Sequence, residues 1–116
     1  MNVNRFKTLE EEYGPAKTEE VPWERVRTPL VQFVADKGDV GVPGFLHARL
    51  EMAFFDPGSN RLTLAWEGGT IAITGSRASE FYAEFARNEA TLVRKGSGIE
   101  SVEFLLRDPE EEPELE

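Results

Sequence analysis

One histidine and two neighbouring charged residues form the first candidate for catalysis. His47, Arg49 and Glu51 occupy alternate positions of a stretch with strand-like alternation, so their side chains are expected on one face. A histidine beside a carboxylate can act as a general base. The chain has no second histidine and no cysteine. A solvated polar sheet face is therefore favoured here, and an enzyme that uses His47 and Glu51 ranks third among the functions considered.

A second candidate lies where a strand leads through a glycine into a helix. Gly75, Ser76 and Arg77 precede an amphipathic stretch, and the first N–H groups of a helix lack intrahelical partners. Those donors, the helix dipole and the Arg77 guanidinium suit a phosphate or carboxylate. The stretch lacks the glycine patterns of dedicated nucleotide sites, and ordinary capping also accounts for it. A small anionic-ligand binding protein is therefore the alternative function.

Metal, cofactor and nucleic-acid chemistry have little support in the sequence. One histidine, no cysteine and a run of glutamates would bind hard cations weakly and without selectivity. The basic glycine loop over residues 94–98 is too short for a nucleic-acid surface, and no aromatic ladder accompanies it. We expect no metal, no cofactor and no nucleic-acid partner.

The acidity of the chain belongs mainly to its two ends. The formal net charge is −9. Residues 108–116 carry six acids and no base, and residues 1–20 carry five acids and three bases. The remaining stretch therefore has 11 acids against 10 bases. A fold that is nearly neutral argues against a DNA-mimic surface.

Length and composition predict one soluble domain over residues 21–107. A chain of 116 residues is about the size of a single core. The arm over residues 1–20 is expected to be flexible or partly helical, and the tail over 108–116 to be disordered. No stretch approaches the ~20 apolar residues that span a bilayer, the first residues lack a signal-like apolar run, and the absence of cysteine fits a reducing compartment. We expect a cytoplasmic protein with no membrane partner.

The predicted fold class is α+β. Alternating apolar residues predict an antiparallel β-meander over about 46–55, 61–67 and 70–74. In its first strand, the even-numbered residues from Leu46 to Phe54 are expected to face the core. A two-residue turn at Gly68-Gly69 would place Ala65 opposite Ala72 and align the apolar side chains on one face.

Helical spacing and caps complete the predicted elements. An apolar stripe predicts a helix over about 76–90, capped by Ser76 and packed on one face of the sheet. A further strand is predicted over about 100–107, while residues 91–95 suit either state. Thr28-Pro29 resembles a helix start and predicts a short helix over 29–37, although its β-branched residues also permit a strand.

The other face of the sheet is the last candidate surface. Ala65 and Ala72 are small enough to let another element approach, with Phe55 and Leu105 nearby. We favour cover by the 29–37 helix; otherwise the face is open and suits a partner protein or a second copy of the chain. The predicted partner-binding residues are Arg49, Phe55, Ala65 and Ala72. The leading function is a small non-enzymatic cytosolic interaction domain.

Overall fold

The computed structural model describes residues 20–107. Its elements are β1 (Leu30–Gln32), β2 (Lys37–Gly38), β3 (Gly44–Leu46), a 3-10 turn (His47–Arg49), β4 (Met52–Asp56), β5 (Arg61–Trp66), β6 (Gly69–Thr74), α1 (Ala78–Ala86) and β7 (Ser101–Leu106). Five strands form one sheet in the order β2-β7-β6-β5-β4, and β1 pairs with β3 separately. All pairs are antiparallel except β2 with β7. The predicted α+β class is confirmed.

The core lies between α1 and one face of the five-stranded sheet, which we call the inner face. Alternation along β5 and β6 buries one set of large apolar side chains: Leu62, Leu64, Trp66, Ile71 and Ile73. The helix packs Phe81 and Phe85 against them, and the Phe85 ring lies 6.2 Å from the Trp66 ring. The predicted burial of one face of the β5–β6 hairpin is confirmed.

The turn of that hairpin lies one residue earlier than predicted. Trp66 pairs with Gly69, so Glu67 and Gly68 form the turn. Gly69 is needed within the strand because a Cβ there would lie 2.7 Å from the Phe104 ring. The error moves the pairing partner by two residues, which keeps every side chain on its own face. The face pattern therefore could not reveal it.

The strand predicted over 46–55 is interrupted by the 3-10 turn His47–Arg49. The interruption changes the alternation, so the facing of β4 is the reverse of the prediction. Phe54 is 58% exposed, whereas Phe55 packs against the core and its ring lies 6.5 Å from the Tyr82 ring. Apolar residues continue through the turn without a glycine or proline, so the sequence carries no signal of the break.

The segment predicted as a helix over 29–37 is extended, and that prediction is wrong. Burial alternates along it, with Val31, Phe33 and Ala35 inside, which is the period of a strand. The segment pairs on both sides, through β1 with β3 and through Phe33 with Val93. These pairings, together with β-branched residues that favour extended backbone, outweigh the helix-like start at Thr28.

The same segment also lies on the inner face, so the predicted cover of the other face is wrong. The Phe33 ring is 5.7 Å from the Trp66 ring and 6.1 Å from the Phe85 ring. Trp23 is buried on the same side, with its ring 5.3 Å from the Phe81 ring. The opposite face, which we call the outer face, carries exposed apolar side chains.

Helix α1 is shorter than the predicted range of 76–90. Arg77 occupies the N-cap position, so the prediction of Ser76 as the cap is wrong by one residue. The helix ends where Asn88 takes a positive φ of 59°, the left-handed conformation that terminates many helices.

The remaining predicted elements have mixed outcomes. The last strand is confirmed as β7. Thr91 and Val93 each form a β-bridge, with Glu24 and Phe33 respectively, and Leu92 between them takes a positive φ of 53°. The predictions for the arm over 1–20, apart from its last residue, and for the tail over 108–116 lie outside the described residues.

Candidate functional site

The candidate site is the outer face of the five-stranded sheet. Antiparallel pairing aligns its side chains in rows that cross four strands. The first row is Met52, Ala65, Thr70 and Leu105, and the second is Phe54, Thr63, Ala72 and Glu103. Small side chains on β5 and β6 therefore form a shallow floor, with larger apolar side chains on β4 at one side and on β7 at the other.

Three apolar side chains of this face are about half exposed: Met52 at 46%, Phe54 at 58% and Leu105 at 50%. Strands lie ~4.8 Å apart, so β4 and β7 are separated by about 14 Å. One end of the face is polar, because Arg61 pairs with Glu103 at 3.4 Å. The surface thus combines an apolar strip with a charged boundary, which is typical of a protein-binding surface.

Strand β4 forms one edge of this sheet. It pairs with β5 at each of its five positions, so the ladder continues to the edge without a bulge. The run from Met52 to Phe55 contains no charged residue and no proline. Regular apolar edges of this kind readily add a strand from another chain. We call β4 the open edge.

The opposite edge, β2, is short and charged, and both features discourage such pairing. It is two residues long and carries Lys37. The carboxylates on either side of it accept hydrogen bonds from the neighbouring strand: Asp36 from the Val102 N–H at 2.7 Å and Asp39 from the Leu106 N–H at 2.8 Å. Short strands and charged side chains are the usual protection of sheet edges. We call β2 with its two aspartates the protected edge.

The structure brings two of the four predicted partner-binding residues to the outer face. Ala65 and Ala72 lie there as diagonal neighbours, since Ala65 pairs with Thr70. Phe55 faces the core instead. Arg49 belongs to the 3-10 turn and lines a different pocket, of about 280 Å³, beside Trp66.

Sequence reasoning missed Met52 and Phe54, the main apolar side chains of the open edge. The uncharged run over 52–55 was visible in the sequence. Its importance depends on β4 being an edge strand and on the 3-10 turn reversing its facing, and both facts need the tertiary structure.

The two residues considered for catalysis have different surroundings in the structure. The Nε2 atom of His47 donates to the Phe85 carbonyl oxygen at 2.8 Å, because a carbonyl can only accept. Its ring lies 4.8 Å from the Phe85 ring. Glu51 lines the pocket that also contains Arg49 and Glu67. His47 therefore satisfies a carbonyl at the end of α1.

Two of the three residues predicted to bind an anion at the start of α1 make contacts within the chain. The Arg77 N–H donates to the Gly98 carbonyl at 2.9 Å, and the Gly75 N–H donates to Asn60 at 3.0 Å. A Cβ at Gly75 would overlap the Gly98 carbonyl oxygen, so the turn at 96–99 fits closely against this glycine. The Arg77 side chain binds Glu80 at 2.8 Å. Gly75 and Arg77 are thus held by internal contacts, with Ser76 exposed between them.

A network around Glu84 fixes the first described residues to α1. The Glu84 carboxylate accepts hydrogen bonds from the Trp23 indole at 2.8 Å and from two guanidinium nitrogens of Arg25, both at 2.9 Å. Burial raises the pKa of Glu84, but the bonds from Arg25 and Trp23, with the charges of Arg25 and Arg87, outweigh it and hold that pKa below its ordinary value. The network is a structural clasp.

A pocket of about 400 Å³ lies beside this clasp, and its charges are already paired. Arg25 binds Glu84, while Glu89 bridges Arg27 and Arg87 at 3.0 Å on each side. An added anion would have to displace these carboxylates.

Residues 20–107 offer neither a cluster of metal-ligating side chains nor a membrane-spanning helix. No three histidine, aspartate or glutamate side chains converge there in a way that would hold a metal ion. No helix in that range is long and apolar enough to cross a membrane.

Comparison with known proteins identifies no relative of this chain. No protein-family model, no curated protein and no solved structure matches this chain.

Proposed function

We propose that this protein is a non-enzymatic interaction domain that binds an extended strand along β4. The supporting observation is the contrast within one sheet: β4 is a regular edge that carries no charge before Asp56 and exposes Met52 and Phe54, while β2 is protected. A sequence that protects one edge and leaves the other apolar favours pairing at the open one.

The binding mode follows from strand geometry. Backbone N–H and C=O groups of an added strand pair with those along the free side of β4 and supply affinity. Alternate side chains of the added strand then lie beside Met52 and Phe54 on the outer face and supply specificity. Because Met52 to Phe55 carry no charge, the partner strand is expected to be apolar and uncharged at the matching positions.

The polar residues best suited to chemistry already have structural roles, which is consistent with a binding function. His47 donates to a carbonyl at the end of α1. Glu84 holds Trp23 and Arg25. These contacts position the elements around the core. The outer face, in contrast, presents exposed apolar side chains that have no such structural role.

A selection from a random peptide library tests this proposal. The full chain is immobilised at low density, and enriched peptides are measured by fluorescence polarisation against the wild type and against two lysine variants. We expect peptides with alternating apolar residues that lose at least tenfold in affinity for Phe54→Lys. The matched control is Leu106→Lys, whose parent side chain is 64% exposed but lies on the strand next to the protected edge.

Two results would contradict the proposal. One is enrichment of peptides that bind wild type and Phe54→Lys equally, which would place binding on another surface. The other is a selection that enriches no peptide from a chain that also shows no Phe54-dependent association with itself.

A further inference from the structure

We infer that the strand added to β4 is β4 of a second copy, so that two chains form one continuous ten-stranded sheet with an antiparallel β4–β4 pair at its centre. This inference rests on the proposed function and names its partner. The occupant is argued from symmetry, from the charges along β4 and from the continuity of the outer-face rows.

Symmetry restricts how two β4 strands can pair. A two-fold axis that generates an antiparallel neighbour in the same sheet is perpendicular to that sheet, so both outer faces lie on the same side. Directly opposed residues share a face, and Met52 and Phe54 belong to the outer face. Two central registers satisfy these conditions: Phe54 opposite Phe54, or Met52 opposite Phe54. Each brings the exposed apolar side chains of both copies together.

The charges that flank β4 do not oppose this pairing. Glu51 and Asp56 bound the uncharged run. In the first register Asp56 faces Met52 and Glu51 faces Pro57; in the second the two acids face apolar side chains of the other copy. The register that would set Glu51 against Asp56 puts an inner-face residue opposite an outer-face residue, and the two-fold axis excludes it. Like charges directly opposed would destabilise the pair.

Pairing also completes the apolar strip. Phe54 is 58% exposed in one copy and would lie beside Phe54 or Met52 of the other. The first row, from Leu105 through Thr70 and Ala65 to Met52, would continue into the second copy at the shared edge. The contact is a short ladder with few large side chains, so we expect association in the micromolar range.

A different protein would normally be selected by complementary charges. The run from Met52 to Phe55 offers none. An uncharged strand is complementary to itself, whereas a strand with a lysine at its centre repels its own copy. This distinction favours a second copy over an unrelated charged strand.

Sedimentation equilibrium of the full chain over a wide concentration range tests the inference. We expect a reversible monomer–dimer equilibrium for the wild type. Phe54→Lys should raise the dissociation constant at least a hundredfold, because two lysines would meet or would face Met52. Leu106→Lys, exposed but distant from β4 in the sheet order, should leave the constant within twofold.

Introduced cysteines give a second readout that reports the register. The chain has no cysteine, so a single one can form a disulfide only between copies. Cα atoms of directly opposed residues lie ~4.5–5.5 Å apart, within disulfide reach. We expect Phe54→Cys or Ala53→Cys to cross-link under mild oxidation, according to the register, and Leu106→Cys to remain uncross-linked under the same conditions.

The outcomes separate this inference from the proposed function. A wild type that stays monomeric at millimolar concentration, or a dimer that survives Phe54→Lys, would overturn pairing through β4. If the chain is monomeric but selected peptides still depend on Phe54, the interaction function holds and only the second copy is excluded. If neither association nor Phe54-dependent peptide binding occurs, both proposals fail.

Discussion

Strands β2 and β4 lie at opposite edges of one sheet and differ in each feature that controls strand pairing. The first has two residues, one of them Lys37, and aspartates on both sides that accept hydrogen bonds from β7. The second has five residues in regular register and no charge before Asp56. Both edges belong to the same small fold, so the difference comes from the local sequence.

This contrast shows that exposure alone does not make a binding surface. Leu106, beside the protected edge, is more exposed than Phe54, yet its backbone N–H is already bound to Asp39. Phe54 lies on β4, which is an edge strand of the sheet. An exposed apolar side chain indicates a binding surface most strongly when the backbone beside it is also available for strand pairing.

The largest expected effect comes from disturbing the protected edge at Gly38. This glycine has a φ of 74°, and a Cβ there would overlap the Phe104 carbonyl oxygen. We expect Gly38→Ala to reduce the free energy of unfolding by about 2–4 kcal/mol, because an L side chain is strained at this φ and would push β2 from β7. Urea unfolding of the variant provides the measurement.

The matched control is Gly58→Ala in the β4–β5 turn. There the nearest atom to a Cβ is an Asp56 oxygen at 3.4 Å, so we expect a change below about 0.5 kcal/mol. Equal losses of unfolding free energy in the two variants would show that the β2–β7 pairing makes no specific contribution to stability.

The second prediction concerns the aspartate that precedes β2. Asp36→Ala leaves the Val102 N–H without the carboxylate oxygen that now lies 2.7 Å away, and we expect a loss of about 1–3 kcal/mol in urea unfolding. Asp36→Asn keeps an acceptor oxygen and should lose less than half as much. Amide exchange at Val102 should accelerate in the alanine variant. An unchanged exchange rate would contradict the assigned role of Asp36.

The third prediction concerns the effect of acid on the stability that Glu84 contributes, in a region remote from both edges. The pKa of Glu84 is lowered in the fold despite the opposing effect of burial. The stability that Glu84 contributes is therefore fully present above its unfolded pKa and is lost as the pH falls through the lower folded pKa. We expect wild-type unfolding free energy to decrease between about pH 5 and pH 3, with a shallower decrease in Glu84→Gln.

At neutral pH the Glu84→Gln variant should lose about 1 kcal/mol, because the charged bond to Arg25 is partly exposed to solvent. Unfolding curves measured at a series of pH values provide both quantities. Parallel pH profiles for the two proteins would show that the clasp does not hold the carboxylate in its charged form.

The smallest expected effect on stability is the most informative about the open edge. Phe54 is largely exposed, so Phe54→Lys should change the unfolding free energy of the monomer by less than about 0.5 kcal/mol. The same substitution is expected to raise the dissociation constant of the dimer at least a hundredfold. A large loss of monomer stability would mean that Phe54 supports the fold, and the contrast between the two edges would then disappear.

The sequence was sufficient for the elements whose periodicity agrees with their tertiary contacts. Alternation from Leu62 to Trp66 and from Ile71 to Ile73 predicted which face of the hairpin is buried. The stripe through Phe81 and Phe85 predicted α1. In these segments one period dominates and the turn or cap residues agree with it.

The predictions were wrong where the local sequence permits two structures and tertiary pairing selects one of them. The segment after Thr28 fits both helical and strand periods, and its bridges to residues 41 and 93 select the extended form. Gly69 fits both the turn and the strand, and the Phe104 ring selects the strand. The candidate site required more still, because an edge is a property of strand order rather than of any one strand.

The pairing of β2 with β7 has a consequence for the order of folding. Asp36 meets Val102 across a sequence separation of 66 residues, whereas the β5–β6 hairpin closes through two residues. Loop closure costs more entropy at longer separation, and non-local pairings form slowly. The hairpin is therefore expected to form early, with β2 adding only after β7 is in place. Until then both sides of the nascent sheet are available for pairing, so aggregation during refolding should depend on protein concentration.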